Sequence, residues 1–375
     1  MSWQNQCKKV RSAQRKLSSQ SAKTRSQVLR TLAESLALRE PEILAANQLD
    51  LDAAKAANLA KPLFDRLSLS SKKLKALSQA CFQLAESPDP IGQELEHRAL
   101  DEDLVLKKVK APLGVLLIIF ESRPDAVIQI GSLAIRTGNA VLLKGGKEAM
   151  QSNRILIDCL GQALMNCGLD EDAVFGVESR CEVQELLEVD QDIDLVIPRG
   201  SSQLVRSIQE KSRIPVLGHA EGICHLVIDK DADLAEVIGV AIDSKCQYPA
   251  ACNALETLLV HKDFVSQLGL VLMALKHQEV ELRLCESLIQ KFPEYKLAEE
   301  SDWISEYSDL ILSVREVPDL DSAIDHIHTF GSGHTESLLS PNQKSQTQFL
   351  NEVDAACVFV TVSYTHLTLP TTPYV

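Results

Sequence analysis

Hydrophobic residues recur at helical spacing through the first hundred positions. Over residues 24–38 the apolar side chains fall on one face of a helix, and Pro41 follows soon after. Ser70 and Ser71 offer an N-cap for another helix. The inward-facing residues of the two helices are Val28, Leu29, Leu32, Ala33 and Leu36, and then Leu74, Leu77 and Phe82. The pattern predicts a layer of packed helices over residues 1 to about 100, with no chemistry of its own.

From residue 104 the pattern changes to strands that alternate with helices. Residues 113–120 form a continuous apolar run, typical of a strand buried in a parallel sheet. A helix is predicted next, with Pro124 in its first turn and Gly138 just after its end. Residues 140–144 form the next apolar strand, and the turn Gly145-Gly146 follows it. This order predicts a βαβ unit, and ligands of open α/β sheets bind at the carboxyl edge, where the glycine turn lies.

The same alternation continues along the chain. Further strands are predicted at 173–177, 194–197, 226–229, 256–261, 281–285, 310–314 and 357–360, with helices between them. After the second of these strands, Gly200-Ser201-Ser202 opens a helix near 203–209, and such a turn can cradle a phosphate with its backbone N–H groups. Because the GxGxxG fingerprint is absent, the pattern indicates an α/β fold without identifying a conventional dinucleotide-binding domain.

The composition is that of an ordinary globular protein and narrows the possible partners. Of 375 residues, 45% are hydrophobic and 24% are charged, which allows two domains with real cores. The net charge of −14 argues against nucleic acid or an anionic membrane as the main partner. The ten cysteines include no CxxC pair, so we expect a reducing, cytoplasmic environment, and we expect no metal site. The longest apolar run, 115–120, is too short to cross a bilayer.

One thiol stands out in the segment 244–261. Pro249 restricts the backbone and removes a donor, so the chain just before Cys252 is not expected to be regular helix or central strand. The apolar residues 258–260 that follow predict a buried strand. A cysteine on a constrained turn among small residues can be approached by a ligand. From this segment alone, the thiol is either an accessible nucleophile or, as most cysteines are, a buried structural residue.

Six separated segments of the chain resemble one family. Four of them read PLGVLLIIFESRPDAVIQIGSLAIRTGNAVLLKGGKEA (112–149), DLVIPRGSSQLV (194–205), IPVLGHAEGICHLVID (214–229) and YPAACNALETLLVH (248–261). Two more read AIDHIHTFGSGHTESLL and FLNEVDAACVFV. Together they resemble the gamma-glutamyl phosphate reductases, or glutamate-5-semialdehyde dehydrogenases, which occur alone or as the C-terminal half of delta-1-pyrroline-5-carboxylate synthase. The resemblance runs from about residue 8 to about residue 363.

This family belongs to the aldehyde dehydrogenase superfamily, which implies a fold and an activity. The resemblance implies a Rossmann-like cofactor domain over 1–225, with part of 340–363 returning to it, and a cysteine-bearing α/β catalytic domain over 226–339. It implies NADPH-dependent reduction of L-glutamyl 5-phosphate to L-glutamate 5-semialdehyde, through a cysteine thioester, in proline biosynthesis. It also implies glutamate 5-kinase as the pathway partner and a homo-oligomer.

The resemblance assigns roles to residues around the thiol. Cys252 is then the nucleophile, and its backbone N–H is a donor to the oxyanion. Ser122 is either a further oxyanion donor or a plain helix cap, and Asn253 either orients the cysteine loop or makes an ordinary turn hydrogen bond. Reduction of an acyl phosphate needs no activated water. Glu221 and Glu256 are therefore given no base role and are interpreted as capping or solvated carboxylates.

The resemblance also implies a cofactor site. Its candidate residues are Lys144, Gly145, Gly146, Lys147, Ser201, Ser202 and Glu306. Lys144 matches the superfamily lysine that meets the adenosine ribose or its 2′-phosphate, and the two glycines let the cofactor approach the backbone. Lys147 either adds a positive charge that favours NADPH over NADH or is a solvated residue at a helix start. Ser201 and Ser202 would face the cofactor phosphates, and Glu306 would contact the nicotinamide ribose.

Two further segments are candidates for holding the substrate. Arg123 is either a clamp for phosphate or carboxylate or a surface charge. His219 and His225 flank the GHAEGICH turn, where they either touch the amino-acid end of the substrate or are buried imidazoles with satisfied hydrogen bonds.

The resemblance stops near residue 363. The family continues with an arginine- and glycine-rich stretch and a final oligomerisation strand, whereas residues 364–375 read YTHLTLPTTPYV. We expect 364–375 to be a non-native tail on a truncated chain. The replaced stretch contributes to the substrate site and to the subunit contact in the family. The alternative to an active reductase is therefore an aldehyde-dehydrogenase-fold fragment without turnover that at most binds nucleotide.

Overall fold

The chain divides into two units, Met1–His219 and Ala220–Val375, in the computed structural model. The structure describes residues 3–59, 61–101, 103–121, 123–200, 202–218 and 222–361. This division falls between residues 219 and 220, and the domain boundary expected from the sequence is at residue 225. The expected non-native tail, 364–375, lies outside the described residues.

The first unit combines a helical layer with a parallel sheet. In chain order its elements are α1 (Trp3–Ser18), α2 (Ala22–Leu38), α3 (Glu40–Ala56), α4 (Lys61–Leu67), α5 (Ser71–Glu86), β1 (Glu94–Asp101), β2 (Leu104–Val109), β3 (Val115–Ile119), α6 (Asp125–Arg136), β4 (Ala140–Lys144), α7 (Met150–Asn166), β5 (Val174–Gly176), α8 (Arg180–Leu186), β6 (Leu195–Pro198) and α9 (Ser202–Lys211).

The helical layer follows the predicted apolar faces with one exception. The five inward residues predicted for α2 are all fully buried. Ser70 caps α5 by accepting a hydrogen bond from the Lys73 amide, as the sequence predicts. Phe82, expected inside, is 40% exposed, because Cys81 takes the inward position on that turn of α5.

The parallel sheet of the first unit has the strand order β5-β4-β3-β6. Strands β3 and β4 are buried along their whole length, as their continuous apolar runs predict. The chain moves from β3 to β4 and β5 on one side and then returns to place β6 on the other side of β3. The carboxyl ends of β3 and β6 therefore form a topological switch point, the usual ligand-binding crevice of such sheets.

The antiparallel hairpin formed by β1 and β2 was not predicted. Residues up to about 100 were expected to be helical, yet Glu94–Asp101 pairs with Leu104–Val109. Both strands are exposed on both faces, apart from the partly buried Glu96. Because neither face is buried, neither strand carries the alternation of apolar and polar residues that would identify it.

The second unit is built on a seven-stranded sheet. Its elements are β7 (Cys224–Ile228), α10 (Leu234–Cys246), β8 (Leu255–His261), α11 (Val265–His277), β9 (Glu281–Leu284), α12 (Glu286–Ile289), β10 (Lys296–Leu297), β11 (Ile311–Val317), α13 (Leu320–Phe330), β12 (Thr335–Leu339), α14 (Gln343–Glu352) and β13 (Cys357–Val360). The strand order is β10-β9-β11-β8-β7-β12-β13, and all the described pairs are parallel.

The end of the described chain stays in the second unit. Strand β13 pairs in parallel with β12, residue 357 opposite residue 335. The expectation that part of 340–363 returns to the first domain is therefore corrected for residues 340–361. The physical reason is the strand ladder, which gives the backbone of β13 its hydrogen-bond partners at the edge of this sheet.

None of the ten cysteines, all of which lie in described residues, forms a disulfide. In the described part of the chain, no helix is both long and apolar enough to span a membrane.

A buried carboxylate connects the helical layer to the helix that follows the glycine turn. The N-cap residue of α7 supplies no capping side chain. Instead Asp50 of α3, which is 5% exposed, accepts hydrogen bonds from the Gln151 amide at 3.1 Å and from the Ser152 amide at 2.8 Å. The Ser152 hydroxyl also donates to Asp50, at 2.7 Å. Asp50 thus satisfies backbone donors that the first turn of any helix leaves unpaired.

We expect Asp50→Ala to lower the free energy of unfolding by about 1–3 kcal/mol, because it leaves a buried and a partly buried amide of α7 without their acceptor. The measurement is urea denaturation followed by circular dichroism. Asp52→Ala is the matched control, since Asp52 is exposed and bonds to Gln48 within the same helix. The control should change stability by no more than about 0.5 kcal/mol. Equal losses in the two variants would contradict the capping role of Asp50.

Candidate active site

In the first unit, the loops that follow the parallel strands meet at one edge of the sheet. The Phe120 amide donates to the carbonyl of Lys144 at 2.9 Å, and the Arg199 amide donates to the carbonyl of Ile119 at 2.7 Å. These bonds hold the carboxyl ends of β3, β4 and β6 in line. The predicted cofactor residues Lys144, Gly145, Gly146 and Lys147 all lie at this edge.

A cavity of about 400 Å³ lies beside the glycine turn. It is lined by residues of that turn and by residues of α7 and β5, among them Asn153. A side chain at Gly145 would not fit, because a Cβ atom there would lie 2.2 Å from Nδ2 of Asn153. The Oδ1 atom of Asn153 is buried and has no hydrogen-bond partner among the described residues. A cavity with close backbone approach and an unmet buried acceptor is suited to a ligand that carries donors.

The two lysines at this edge have different surroundings. Lys144 is buried, and its ammonium group donates to the carbonyl of Gly145. Lys147 is exposed and lines the cavity. On the same rim, Arg154 forms two hydrogen bonds with the carboxylate of Glu178, at 2.7 and 2.8 Å. This pairing raises the pKa of Arg154 and lowers the pKa of Glu178.

In the second unit, Cys252 lies on an exposed turn directly before β8. The turn packs against the backbone of Gly222, since a Cβ atom at Gly222 would lie 1.8 Å from the carbonyl oxygen of Cys252. The thiol of Cys224 donates to that same carbonyl at 3.5 Å. Burial raises the pKa of Cys224 well above its ordinary value, so this thiol keeps the proton that it donates. The cysteine turn is therefore held by the start of β7.

A third loop, the one before β12, contacts the start of β7 beside the cysteine turn. The Ser332 hydroxyl, just before β12, accepts a hydrogen bond from the Ile223 amide at 2.9 Å. His334 places Nδ1 3.9 Å from the thiol of Cys224 and 2.7 Å from the hydroxyl of Thr335. The loops that precede β7, β8 and β12 thus join at the amino edge of this sheet, and Cys252 lies among them.

The two residues that flank the cysteine turn in the chain, Lys245 and Glu256, form a buried ion pair. Nζ of Lys245 lies 2.7 Å from Oε2 of Glu256, and both side chains are fully buried. Oε1 of Glu256 accepts a hydrogen bond from the Ser308 amide at 3.2 Å. Burial raises the pKa of Glu256 to about 7 and lowers that of Lys245, while each charge opposes the shift of the other. The interpretation of Glu256 as a capping or solvated carboxylate is therefore wrong.

His225 is one of the two histidines considered for substrate contact. Its side chain is fully buried, and its Nδ1 lies 2.9 Å from Oε2 of Glu336. Its ring packs edge-to-face on His326, with centroids 5.3 Å apart. The imidazole is buried, but its hydrogen bonds are satisfied only at Nδ1, because the buried Nε2 has no partner among the described residues.

Of the remaining candidates, some are described by the structure and the others lie wholly or partly outside the described residues. Arg123 is largely exposed and lies 3.5 Å from the carboxylate of Asp125, as a surface charge would. Asn253 is partly buried in the cysteine turn, and Glu306 is partly buried in the second unit, where its charge raises the pKa of Glu256. Ser122, Ser201, His219 and Glu221 lie outside the described residues, and Ser202 begins α9 but its side chain is not described.

Sequence reasoning missed several contacts within and beside the cysteine turn. Gly222 and Cys224 are in a segment that the resemblance singled out, but nothing in the sequence shows that they contact Cys252. Lys245 and Glu256 flank Cys252 in the chain, and no periodic pattern relates them. In the described residues no group of His, Cys, Asp or Glu side chains is arranged to hold a metal ion.

Comparisons with known proteins match this chain along nearly its whole length. A model described as "Aldehyde dehydrogenase family" matches residues 2–281. The gamma-glutamyl phosphate reductase of a Cyanothece species is 50% identical over 358 residues, which cover 94% of this chain and 81% of the relative. Gamma-glutamyl phosphate reductase 1 of a Synechocystis species is 47% identical over 351 residues, which cover 93% of this chain and 81% of the relative.

A solved structure agrees with these relatives. The crystal structure of gamma-glutamyl phosphate reductase from Thermotoga maritima superposes with a TM-score of 0.94 at 34% sequence identity. The superposition covers 97% of this chain and 88% of that chain. The parallel sheets described above are therefore those of the aldehyde dehydrogenase fold.

We expect Gly222→Ala to displace the turn that carries Cys252, because the new methyl group would overlap the Cys252 carbonyl. The measurement is alkylation of Cys252 by iodoacetamide, followed by peptide mass spectrometry, and the rate constant should change at least about threefold, since thiol reactivity depends on local surroundings. The exposed Cys181 is the reference thiol in each sample.

The matched control is Gly239→Ala, a glycine inside α10 with nothing within 4 Å of its added Cβ. This control should leave the alkylation of Cys252 unchanged and stabilise the helix by about 0.5–1 kcal/mol. If Gly222→Ala folds and its Cys252 reacts at the unaltered rate, the close packing does not place the thiol.

Proposed function

The chain belongs to the aldehyde dehydrogenase family and, within it, to the gamma-glutamyl phosphate reductases, and on this premise we propose that it reduces L-glutamyl 5-phosphate to L-glutamate 5-semialdehyde and phosphate. The proposed reductant is NADPH and the proposed nucleophile is Cys252. The observation that carries the proposal is an exposed thiol on a turn that packs against the start of β7, where the loops before β7, β8 and β12 meet at one sheet edge.

Cys252 acts as the thiolate. It attacks the acyl carbon of the substrate, a C–S bond forms, and the C–O bond to phosphate breaks, which leaves a thioester and inorganic phosphate. When bound, NADPH supplies the hydride that the thioester carbonyl accepts. The resulting hemithioacetal anion collapses, releases the aldehyde and restores the thiolate of Cys252. Phosphate is a good leaving group, so the first step demands no strong general acid.

Oxygen charge develops on the acyl group in both steps, and donors near the thiol stabilise it. The backbone N–H of Cys252 is the proposed donor from the cysteine turn. Asn253, in the same turn, is the proposed residue that orients it. Ser122 is the proposed donor from the turn after β3. Arg123 and His219 are the proposed contacts for the charged ends of the substrate.

The first unit is the proposed NADPH-binding domain. In support, its cavity lies at the carboxyl edge of the sheet, and Gly145 permits close approach of a ligand to the backbone. Asn153 also presents a buried acceptor that has no partner within the described part of the chain. Lys144, Gly145, Gly146, Ser201 and Ser202 are the proposed contacts to the ribose and phosphates. Lys147, exposed on the rim, is the proposed contact for the 2′-phosphate. Glu306, in the second unit, is the proposed contact for the nicotinamide ribose.

Because the proposed substrate is an acyl phosphate, another enzyme must make it, and the site that reduces it must exclude water. An acyl phosphate is made by phosphoryl transfer to a carboxylate, so glutamate 5-kinase is the proposed pathway partner. A thioester that meets water would hydrolyse to glutamate, and exclusion of water is therefore part of the proposed function.

A homo-oligomer is also proposed. In support, the hairpin of β1 and β2 exposes large apolar residues on both of its faces, which monomers seldom leave uncovered: Leu95, Leu100, Leu104, Val105, Leu106 and Val109.

We expect Cys252→Ala to lower phosphate-dependent reduction of NADP⁺ by glutamate 5-semialdehyde at least about a thousandfold, because the nucleophile is removed. Absorbance at the NADPH band follows the reaction. Cys181→Ala, which removes another exposed thiol, should keep the activity of the unaltered chain. Activity that survives in Cys252→Ala would overturn the mechanism. Nucleotide binding without turnover in the unaltered chain, measured by calorimetry, would favour the alternative of an inactive fragment.

We expect Lys147→Glu to shift the ratio of kcat/KM for NADPH to that for NADH by roughly ten- to a hundredfold in favour of NADH, because it replaces attraction of the 2′-phosphate by repulsion. Steady-state kinetics with both cofactors provide the measurement. Lys72→Glu, an exposed residue of α5, makes the same charge change in the helical layer and should leave the ratio unaltered. An unchanged ratio in Lys147→Glu would remove Lys147 from the 2′-phosphate site.

A further inference from the structure

We propose that the buried pair Lys245–Glu256 is a positioning device, which ties together the two ends of the segment that carries Cys252 and so places the thiol. The inference rests on the proposed role of Cys252 as nucleophile. Neither residue touches the reacting atoms in this proposal, and both act through the turn between them.

Lys245 and Glu256 lie at the two ends of the segment that carries Cys252, at the end of α10 and at the start of β8. Lys245 is in the last turn of α10, and Glu256 is the second residue of β8. Residues 246–255 run between them and contain the turn with Cys252 at its exposed tip. The ion pair therefore closes this segment into a loop at its base, and any change in the separation of the two ends moves the tip.

Both oxygens of the Glu256 carboxylate are committed. Oε2 meets the Lys245 ammonium at 2.7 Å, and Oε1 accepts from the Ser308 amide at 3.2 Å, so one side chain connects α10, β8 and the loop before β11. The Lys245 ammonium also lies 6.0 Å from the centre of the Tyr307 ring. These contacts fix the distance between the end of α10 and the start of β8 and the direction in which the Glu256 side chain points, because charge-assisted hydrogen bonds are directional.

The turn itself is held by shorter-range contacts. The Ala251 amide donates to the carbonyl of Tyr248 and the Ala254 amide to the carbonyl of Ala251, both at 3.0 Å. These bonds give the tip its shape but do not set its place on the sheet. The close packing of Gly222 on Cys252 leaves no space for the tip to shift toward β7. Correct placement of the base is therefore needed for the tip to fit.

Stability alone does not explain a charged pair at this position. Apolar residues of similar volume often replace a buried ion pair at no loss of stability, whereas removal of one partner leaves an unpaired charge and is strongly destabilising. Apolar contact, however, is not directional. A replacement of both partners by apolar residues thus separates the two roles, since it can restore stability without restoring the geometry.

The experiment compares Lys245→Met, Glu256→Leu, the double variant Lys245→Met/Glu256→Leu, and Glu256→Gln. Three quantities are measured for each: the Tm, the kcat and KM of phosphate-dependent NADP⁺ reduction, and the hydrogen exchange of peptides that contain the Ala251 and Ala254 amides. The Gln carbonyl oxygen has two lone pairs and can accept from both the Ser308 amide and the Lys245 ammonium, which are all donors, whereas its NH₂ group can accept from neither. Glu256→Gln can therefore keep both connections through one oxygen while it removes the carboxylate charge.

We expect each single apolar variant to lose Tm and the double variant to regain it. In the double variant kcat should stay about tenfold or more below that of the unaltered chain, with KM within about twofold, because misplacement of a nucleophile affects the chemical step. Exchange of the turn amides should be about tenfold faster. Glu256→Gln should recover kcat to within about threefold.

Two kinetic results for these variants would overturn the proposal. The first is a double variant that regains both Tm and kcat, because the pair would then be only structural. The second is a Glu256→Gln variant that folds but is as slow as Glu256→Leu, because the geometry would then be present without effect. If the unaltered chain shows no reductase activity, the proposed function fails. The positioning role is then tested by hydrogen exchange alone, and equal exchange of the turn amides in the unaltered chain and the double variant would overturn it.

A matched control removes a buried ion pair elsewhere. Arg25 and Asp89 of the first unit lie 2.6 Å apart, with the arginine almost fully buried. The double variant Arg25→Met/Asp89→Leu makes the same kind of replacement. It should leave kcat and the exchange of the Cys252 turn unchanged, whatever it does to the Tm. A tenfold loss of kcat in this control as well would show a general effect of such replacements and would overturn the proposal.

Discussion

The parallel pairing of β7 with β8 is the interaction on which the candidate site depends. In this pairing Cys224 stands opposite Leu255, which brings the residues just before each strand side by side. Gly222 then meets the backbone of Cys252 so closely that only a hydrogen atom fits between them. A thiol on an exposed turn would otherwise sample many positions. Strand pairing, a property of the buried sheet, thus restricts a residue that is itself exposed.

The two units use opposite edges of their parallel sheets. In the first unit the glycine turn and its cavity follow the strands, at the carboxyl edge, where helix N-termini and their amides favour phosphate groups. In the second unit Cys252 precedes its strand, at the amino edge, where helices end. The end of α10 carries Lys245 in its last turn, a charge that suits a helix C-terminus. The chemistry expected of the two edges therefore differs, because helices present their positive N-terminal ends at a carboxyl edge and their negative C-terminal ends at an amino edge.

Buried charge in this chain is found where segments distant in sequence must meet. Asp50 caps a helix from another part of the helical layer, and Glu256 joins α10, β8 and the loop before β11. Each carboxylate is costly to bury, and each is matched by directional partners. Apolar packing can supply the stability of such a junction but does not specify its geometry. Charged groups in these places are thus better understood as determinants of position than as sources of stability.

Local pattern by itself determined which segments become buried strands and helices, and that the chain around Cys252 is an irregular turn before a buried strand. The runs that form β3, β4 and β8 and the apolar face of α2 are evident from composition and period, because burial acts on each segment separately. The exposed hairpin of β1 and β2 has no buried face and left no such pattern. The contact of Gly222 with Cys252, and the pairing of Lys245 with Glu256, were decided only by the tertiary structure. Sheet order determines which strand ends become neighbours, and no local period in the chain encodes that order.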